Sequence, residues 1–155
     1  MLHEEPPNEE IQYLKLHGSI NWRIRDSDKQ IVRRDSAHSL MGETYTDPLM
    51  VYPIYEKYVS EDPYFTLYGY FRRLLYYHDE YVVIGHSFGD PSINNAFADA
   101  FKNKPNSRII IVNRNRDNIE SRINQYFPAD RVHIIETPFG NNTLVEELRR
   151  VLLSD

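Results

Sequence analysis

Apolar residues follow two different rhythms along this chain. Before Asp62 they are scattered. IQYLKL (11–16) alternates as a strand does, INWRIR (20–25) and QIVRR (30–34) read as a hairpin, and LMVYPI (49–54) reads as a further strand. From Asp62 the pattern becomes regular. Asp62-Pro63 predicts a helix start, with Phe65, Tyr68, Phe71, Leu74 and Leu75 repeating at helical spacing after it. YVVIG (81–85) is a short apolar strand, and Asp90-Pro91 starts a second helix by the same device. Its Ile93, Ala96, Phe97, Ala100 and Phe101 form one stripe. RIIIVN (108–113) is the next apolar strand. A helix over 117–127 follows, with Ile119, Ile123, Tyr126 and Phe127 inward. RVHIIE (131–136) is a strand, and Leu144, Val145, Leu148, Val151 and Leu152 mark the last helix.

Helices alternating with strands that are apolar throughout predict an α/β fold: a Rossmann-like parallel sheet flanked by helices on both faces. The chain reads as a single domain over 1–155, with an irregular part over 1–61 and a regular α/β part over 62–155. In such sheets ligands bind beyond the carboxyl ends of the strands. The loops that matter are therefore GHSFGD (85–90), NRNRDN (113–118) and TPFGNNT (137–143).

Composition narrows the chemistry. Hydrophobic residues make up 41% and charged residues 26%, the balance of a soluble globular protein. There is no cysteine, which excludes disulfides, zinc ribbons and thiol nucleophiles. A net charge of -5 gives no reason to expect nucleic acid or an anionic membrane as partner. No apolar run approaches the ~18 residues of a membrane span, and a cytoplasmic location is expected. Twelve tyrosines are many for 155 residues, and those between Tyr45 and Tyr81 suit either a core or a partner surface.

Two readings of the loops compete. Gly85-His86-Ser87-Phe88-Gly89 fits G-x-S-x-G between a strand and a helix, the context of a nucleophile elbow. Asp117 and His133 complete the order serine, acid, histidine. His133, however, sits inside an apolar strand run, and Asp90-Pro91 delays the helix that an elbow would enter at once. The second reading takes several motifs together. Lys15-Leu16-His17-Gly18-Ser19-Ile20-Asn21-Trp22, then Pro53 and Lys57, then IGHSFGDPSIN, then a strand ending in Asn113, then FGNNTLVEEL resemble the sirtuin-like superfamily in that superfamily's order. The chain is most similar to the cysteine-free bacterial domains of the group, many of which hydrolyse NAD in antiphage defence.

The resemblance implies NAD as substrate or ligand and His17 as the active-site base. It implies that Gly18 lets the nicotinamide ribose approach the backbone, that Ser19 is a cofactor-binding residue beside it, and that Gly85 and Ser87 line the phosphates and ribose. Asn113 would meet the adenosine ribose, and Gly140 and Asn141 would approach adenine. Each residue also has an ordinary reason to be there, since turns need glycine and an asparagine can cap the next segment. Asp90, at a helix start, disfavours a diphosphate on that helix axis, so contacts are expected from Ser87 and backbone amides.

The glycine-rich loop of the superfamily is not found: the six glycines are Gly18, Gly42, Gly69, Gly85, Gly89 and Gly140, and none makes G-x-G. The chain therefore reads as the C-terminal half of such a domain. It is expected to be inactive alone, and to self-associate or meet a partner chain that supplies the other half. Metal binding is not expected, since His38 is the sole conventional nitrogen ligand between Trp22 and Met50. For the same reason, zinc-dependent deacylase architecture is not expected. The rival readings are a non-catalytic nucleotide-binding or oligomerisation module, and a serine hydrolase using Ser87.

Overall fold

The computed structural model describes residues 13–34, 43–50 and 62–154. Pro53, Lys57, His38 and Gly42 lie outside the described residues, as does most of the LMVYPI strand. The chain divides into two compact units, Met1–Phe71 and Arg72–Asp155, with the division falling inside a helix.

The first unit is built around a short antiparallel hairpin, β1 (Trp22–Ile24) and β2 (Ile31–Arg33), in which Arg23 faces Val32. Arg25 grips Asp28 across the turn through Nε (3.0 Å) and Nη2 (2.6 Å), which holds the Asp28 carboxyl below its usual range. The segment 44–50 runs along β1, with Thr46 N–H donating to Ile24 and Leu49 N–H to Trp22. The alternation in IQYLKL does not become a strand over its described residues. Leu16 and His17 form a turn closed by Gly18 N–H on the Lys15 carbonyl, and Gly18 alone bridges to Met50. Alternation makes a strand only where a ladder partner exists, and here the turn comes first. Helix α1 (Tyr64–Tyr77) starts one residue later than the Asp-Pro signal suggests; Asp62 still accepts from Thr66 N–H and Oγ1. Of the residues at helical spacing, Tyr68 and Leu75 are buried and Phe65 is exposed.

The second unit is the α/β part. β3 (Glu80–Ile84), β4 (Arg108–Asn113) and β5 (Val132–Glu136) form a parallel sheet in the order β3-β4-β5. α2 (Pro91–Asn103) follows β3, α3 (Arg116–Ile123) follows β4, and α4 (Leu144–Leu153) follows β5. This is the Rossmann-like arrangement of a parallel sheet flanked by helices. The middle of the central strand is fully buried, with Ile109, Ile110, Ile111 and Val112 each at 1% exposure or less. Successive side chains of a strand point to opposite faces. On one face Ile110, Val112 and Ile135 pack with Leu144, Val151, Leu148 and Leu152 of α4. The opposite face carries Tyr81 and an aromatic cluster. Tyr81 meets Phe97 edge-on at 5.6 Å, and Phe101 meets Phe127 at 4.9 Å.

α2 begins as its sequence predicts: Asp90 Oδ1 accepts the Ser92 N–H at 3.0 Å and Pro91 takes the first helical position. α3 stops at Ile123, short of the span expected, yet a turn brings Phe127 back to the core with its N–H on the Ile123 carbonyl. Val145, one of the apolar residues that mark the last helix, is exposed. β3 also departs from expectation. Val82 and Ile84 share the α4 face with their register partners Ile110 and Val112, but each is 42% exposed.

Candidate functional site

The loop after β3 is shaped from both of its ends. Gly85 has φ +69, a conformation that a Cβ disfavours, and its N–H donates to the Val112 carbonyl of the next strand. Phe88 also sits at positive φ (+52), unusual for a bulky residue. Its ring is buried against His86 (4.9 Å) and Phe127 (5.9 Å), and its N–H donates to His86 Nδ1. Packing thus holds a backbone shape that the side chain alone would resist.

Three consecutive carbonyls of this loop are tied back by side chains from three elements. Asn113 Nδ2, at the end of β4, donates to the His86 carbonyl at 3.3 Å. Arg122 Nη1, from α3, donates to Ser87 O at 3.0 Å. Asn94 Nδ2, from α2, donates to Phe88 O at 2.9 Å. With the carbonyls engaged inward, the Ser87 side chain remains exposed beyond the carboxyl end of β3. Asn94 is 1% exposed, and its Oδ1 has no hydrogen-bond partner among the described residues.

The predicted site residues fall into two groups. Gly85, Ser87 and Asn113 are brought together in the second unit. Asn113 is committed internally: besides holding His86, its Oδ1 accepts the Asn115 N–H, and Asn115 in turn caps α3. Gly140 (φ +94) and Asn141 lie in the loop after β5. There Asn141 serves α4, accepting from Thr143 N–H through Oδ1 and donating to Thr137 Oγ1 at 2.8 Å.

His17, Gly18 and Ser19 form the second group, in the first unit. His17 is half-buried in its turn. Gly18 has a structural reason of its own. Its φ is +76, and a Cβ there would lie 2.1 Å from the Leu49 carbonyl oxygen, so the close approach is made by the chain itself. Ser19 is buried; its hydroxyl accepts from Lys15 Nζ at 2.9 Å and donates to Asn21 Oδ1 at 2.7 Å.

The nucleophile-elbow arrangement has the wrong geometry in this sheet. His133 stands opposite Ile110 near the amino end of β5, whereas Ser87 lies beyond Ile84, whose register partner is Val112. The histidine and the serine therefore sit toward opposite ends of the strands.

Sequence reasoning missed Phe88, Asn94 and Arg122 as shapers of the loop. A polar residue within the apolar stripe of α2 was a signal for Asn94. Nothing in the spacing of α3 marks Arg122.

The second unit is thus a Rossmann-like α/β unit whose candidate ligand loops lie at the carboxyl ends of a parallel sheet. The chain matches the SIR2-like domain over residues 2–135, most of its length, and it belongs to that family. Comparison with curated proteins found no match.

Proposed function

We propose that this chain binds NAD and contributes to cleavage of the nicotinamide–ribose bond within a sirtuin-like NAD-hydrolysing domain, with antiphage defence in the bacterial cytoplasm as the biological setting. The observation that carries this reading is the Gly85–Asp90 loop, in a chain of the SIR2-like family. Its carbonyls are drawn back by Asn113, Arg122 and Asn94, and Ser87 is left at the carboxyl end of the sheet.

In this reading Ser87 and the loop amides hold the phosphates and ribose, while Gly140 and Asn141 approach the adenine. Asn113 acts chiefly by fixing the loop. His17 accepts a proton from the attacking nucleophile as the bond to nicotinamide breaks. The transition state is oxocarbenium-like and its leaving group is good, so the protein mainly has to hold the ribose and place the base. Gly18 and Ser19 shape the turn that presents His17.

The chain is further proposed to work as the C-terminal part of its domain, through self-association or with a partner chain. Support comes from β3, which ends the sheet order among the described residues with Val82 and Ile84 exposed.

The test is an NAD depletion assay on protein carrying the whole domain. His17→Ala should lower the cleavage rate by about 10²–10⁴-fold, the usual contribution of a general base. Nucleotide affinity and melting temperature should stay close to those of the unaltered protein, because His17 is only half-buried in a turn. Unchanged turnover in His17→Ala sinks the assignment of the base. Unfolding makes His17 a structural residue instead.

A further inference from the structure

Gly89 has no positive φ to explain it, but it leaves a space. A Cβ at this position would stand 3.2 Å from Ser87 Oγ and 3.9 Å from Arg122 Nη1. The glycine thus keeps open a small cradle bordered by a hydroxyl and a guanidinium. Arg122 spends one hydrogen bond on Ser87 O at 3.0 Å and makes no ion pair among the described residues. A guanidinium carries five N–H donors in a planar fork suited to phosphate, so most of this one's donors remain available.

The same loop runs into Asp90, a buried carboxylate at the start of α2. Its charge opposes an anion approaching along that helix axis. Off that axis, the Arg122 guanidinium of α3 reaches the same loop at Ser87 O. We infer that Arg122 is a phosphate-binding residue: it pairs with the diphosphate of an ADP-ribosyl ligand in the cradle between Ser87 and Gly89. This rests on the NAD-binding reading above, and adds to it the source of positive charge at the diphosphate.

Arg122 has two separable effects, as a staple on Ser87 O and as a charge on the ligand. The test uses protein carrying the whole domain, as in the depletion assay, and NMR titration, which reads affinities into the millimolar range. Adenosine, which lacks phosphate, is compared with ADP-ribose. Charge-assisted hydrogen bonds of this kind change affinity by about 10- to 100-fold. Arg122→Gln should weaken ADP-ribose by that factor and leave adenosine within about twofold, while Arg122→Lys should recover part of the loss. ADP-ribose binding by the unaltered protein should weaken with added salt, and Arg122→Gln should flatten that dependence, an effect that loss of a staple alone does not produce. Gly89→Ala, which fills the cradle and leaves the charge in place, should also weaken ADP-ribose selectively.

Equal affinity of Arg122→Gln and the unaltered protein for ADP-ribose overturns the inference and leaves the NAD reading standing. Parallel losses for adenosine and ADP-ribose, with unchanged salt dependence, make Arg122 a staple only and also overturn it. If the unaltered protein binds neither ligand, the NAD reading itself fails and the inference falls with it.

Discussion

Tyr81 turns its hydroxyl to the Leu75 carbonyl while its ring packs against Phe97 and Phe101. Burial, with a smaller push from the Asp79 charge, raises its pKa from 10.0 to about 12. A phenol with a raised folded-state pKa stabilises the fold fully below its unfolded value, and that stability is lost as pH climbs through the folded value. The window is therefore about pH 10 to 12. At pH 8, Tyr81→Phe should cost about 1 kcal/mol for the lost hydrogen bond. By pH 11 the unaltered protein should have lost part of this advantage, so the gap in melting temperature should narrow. A gap that stays constant from pH 8 to 11 would mean that Tyr81 titrates as an ordinary surface phenol. At this scale the sequence announced which residues were special, but not the reason for each. Gly18 was legible as a glycine that a close approach requires, but the approaching group is the Leu49 carbonyl, from a segment far along the chain. Asn113 was legible as the end of a strand. That its amide would reach across to His86 depends on the packing of two loops.

The elements that were strongly periodic came out as written. α2 carries its cap, its proline and its apolar stripe in one short run of sequence, and Ile93, Ala96, Phe97, Ala100 and Phe101 are all buried. Arg131 then closes its carboxyl end, with Nη1 near the carbonyls of Phe101 (3.2 Å) and Lys104 (2.9 Å), where a cation suits the helix dipole. Burial was less legible, because the signal is local and the outcome is not. Of the five apolar residues that mark α4, Val145 lies about 100° round the helix from Leu144 and falls off the sheet-facing side. Leu144 is 5% exposed and Val145 is 63% exposed. Leu144→Ala should cost about 2–4 kcal/mol by emptying its place against Ile110, Val112 and Ile135. Val145→Ala should fall within about 0.5 kcal/mol of the unaltered protein. Urea titrations of the two variants check this, and similar losses would mean that α4 sits rotated on the sheet.

At the scale of the whole molecule, the order of strands and helices in the second unit was legible because each parallel connection needs its own crossover helix, and a sequence shows such alternation plainly. The expected parallel sheet flanked by helices is present, with β4 buried between its helices and Val82 and Ile84 of β3 left partly exposed, because continuous apolar character says what a strand can bury without supplying its cover. Among the described residues β3 pairs with β4 on one side and ends the sheet order on the other, with Val82 and Ile84 exposed beside the residues that α4 covers. Such an edge invites another strand and another apolar surface. A net charge of -5 opposes indiscriminate association only weakly, because exposed charges are screened over about 8 Å in physiological salt. We therefore expect the chain to associate in sedimentation velocity runs as its concentration rises. The double variant Val82→Lys with Ile84→Lys should shift it toward monomer, since a charge on an edge strand must be desolvated before a partner can pair there. Both side chains are half out in solvent already, so the change should cost no more than about 1 kcal/mol in stability. A monomeric unaltered chain at every concentration, or a double variant that associates just as strongly, would remove β3 as the surface of assembly.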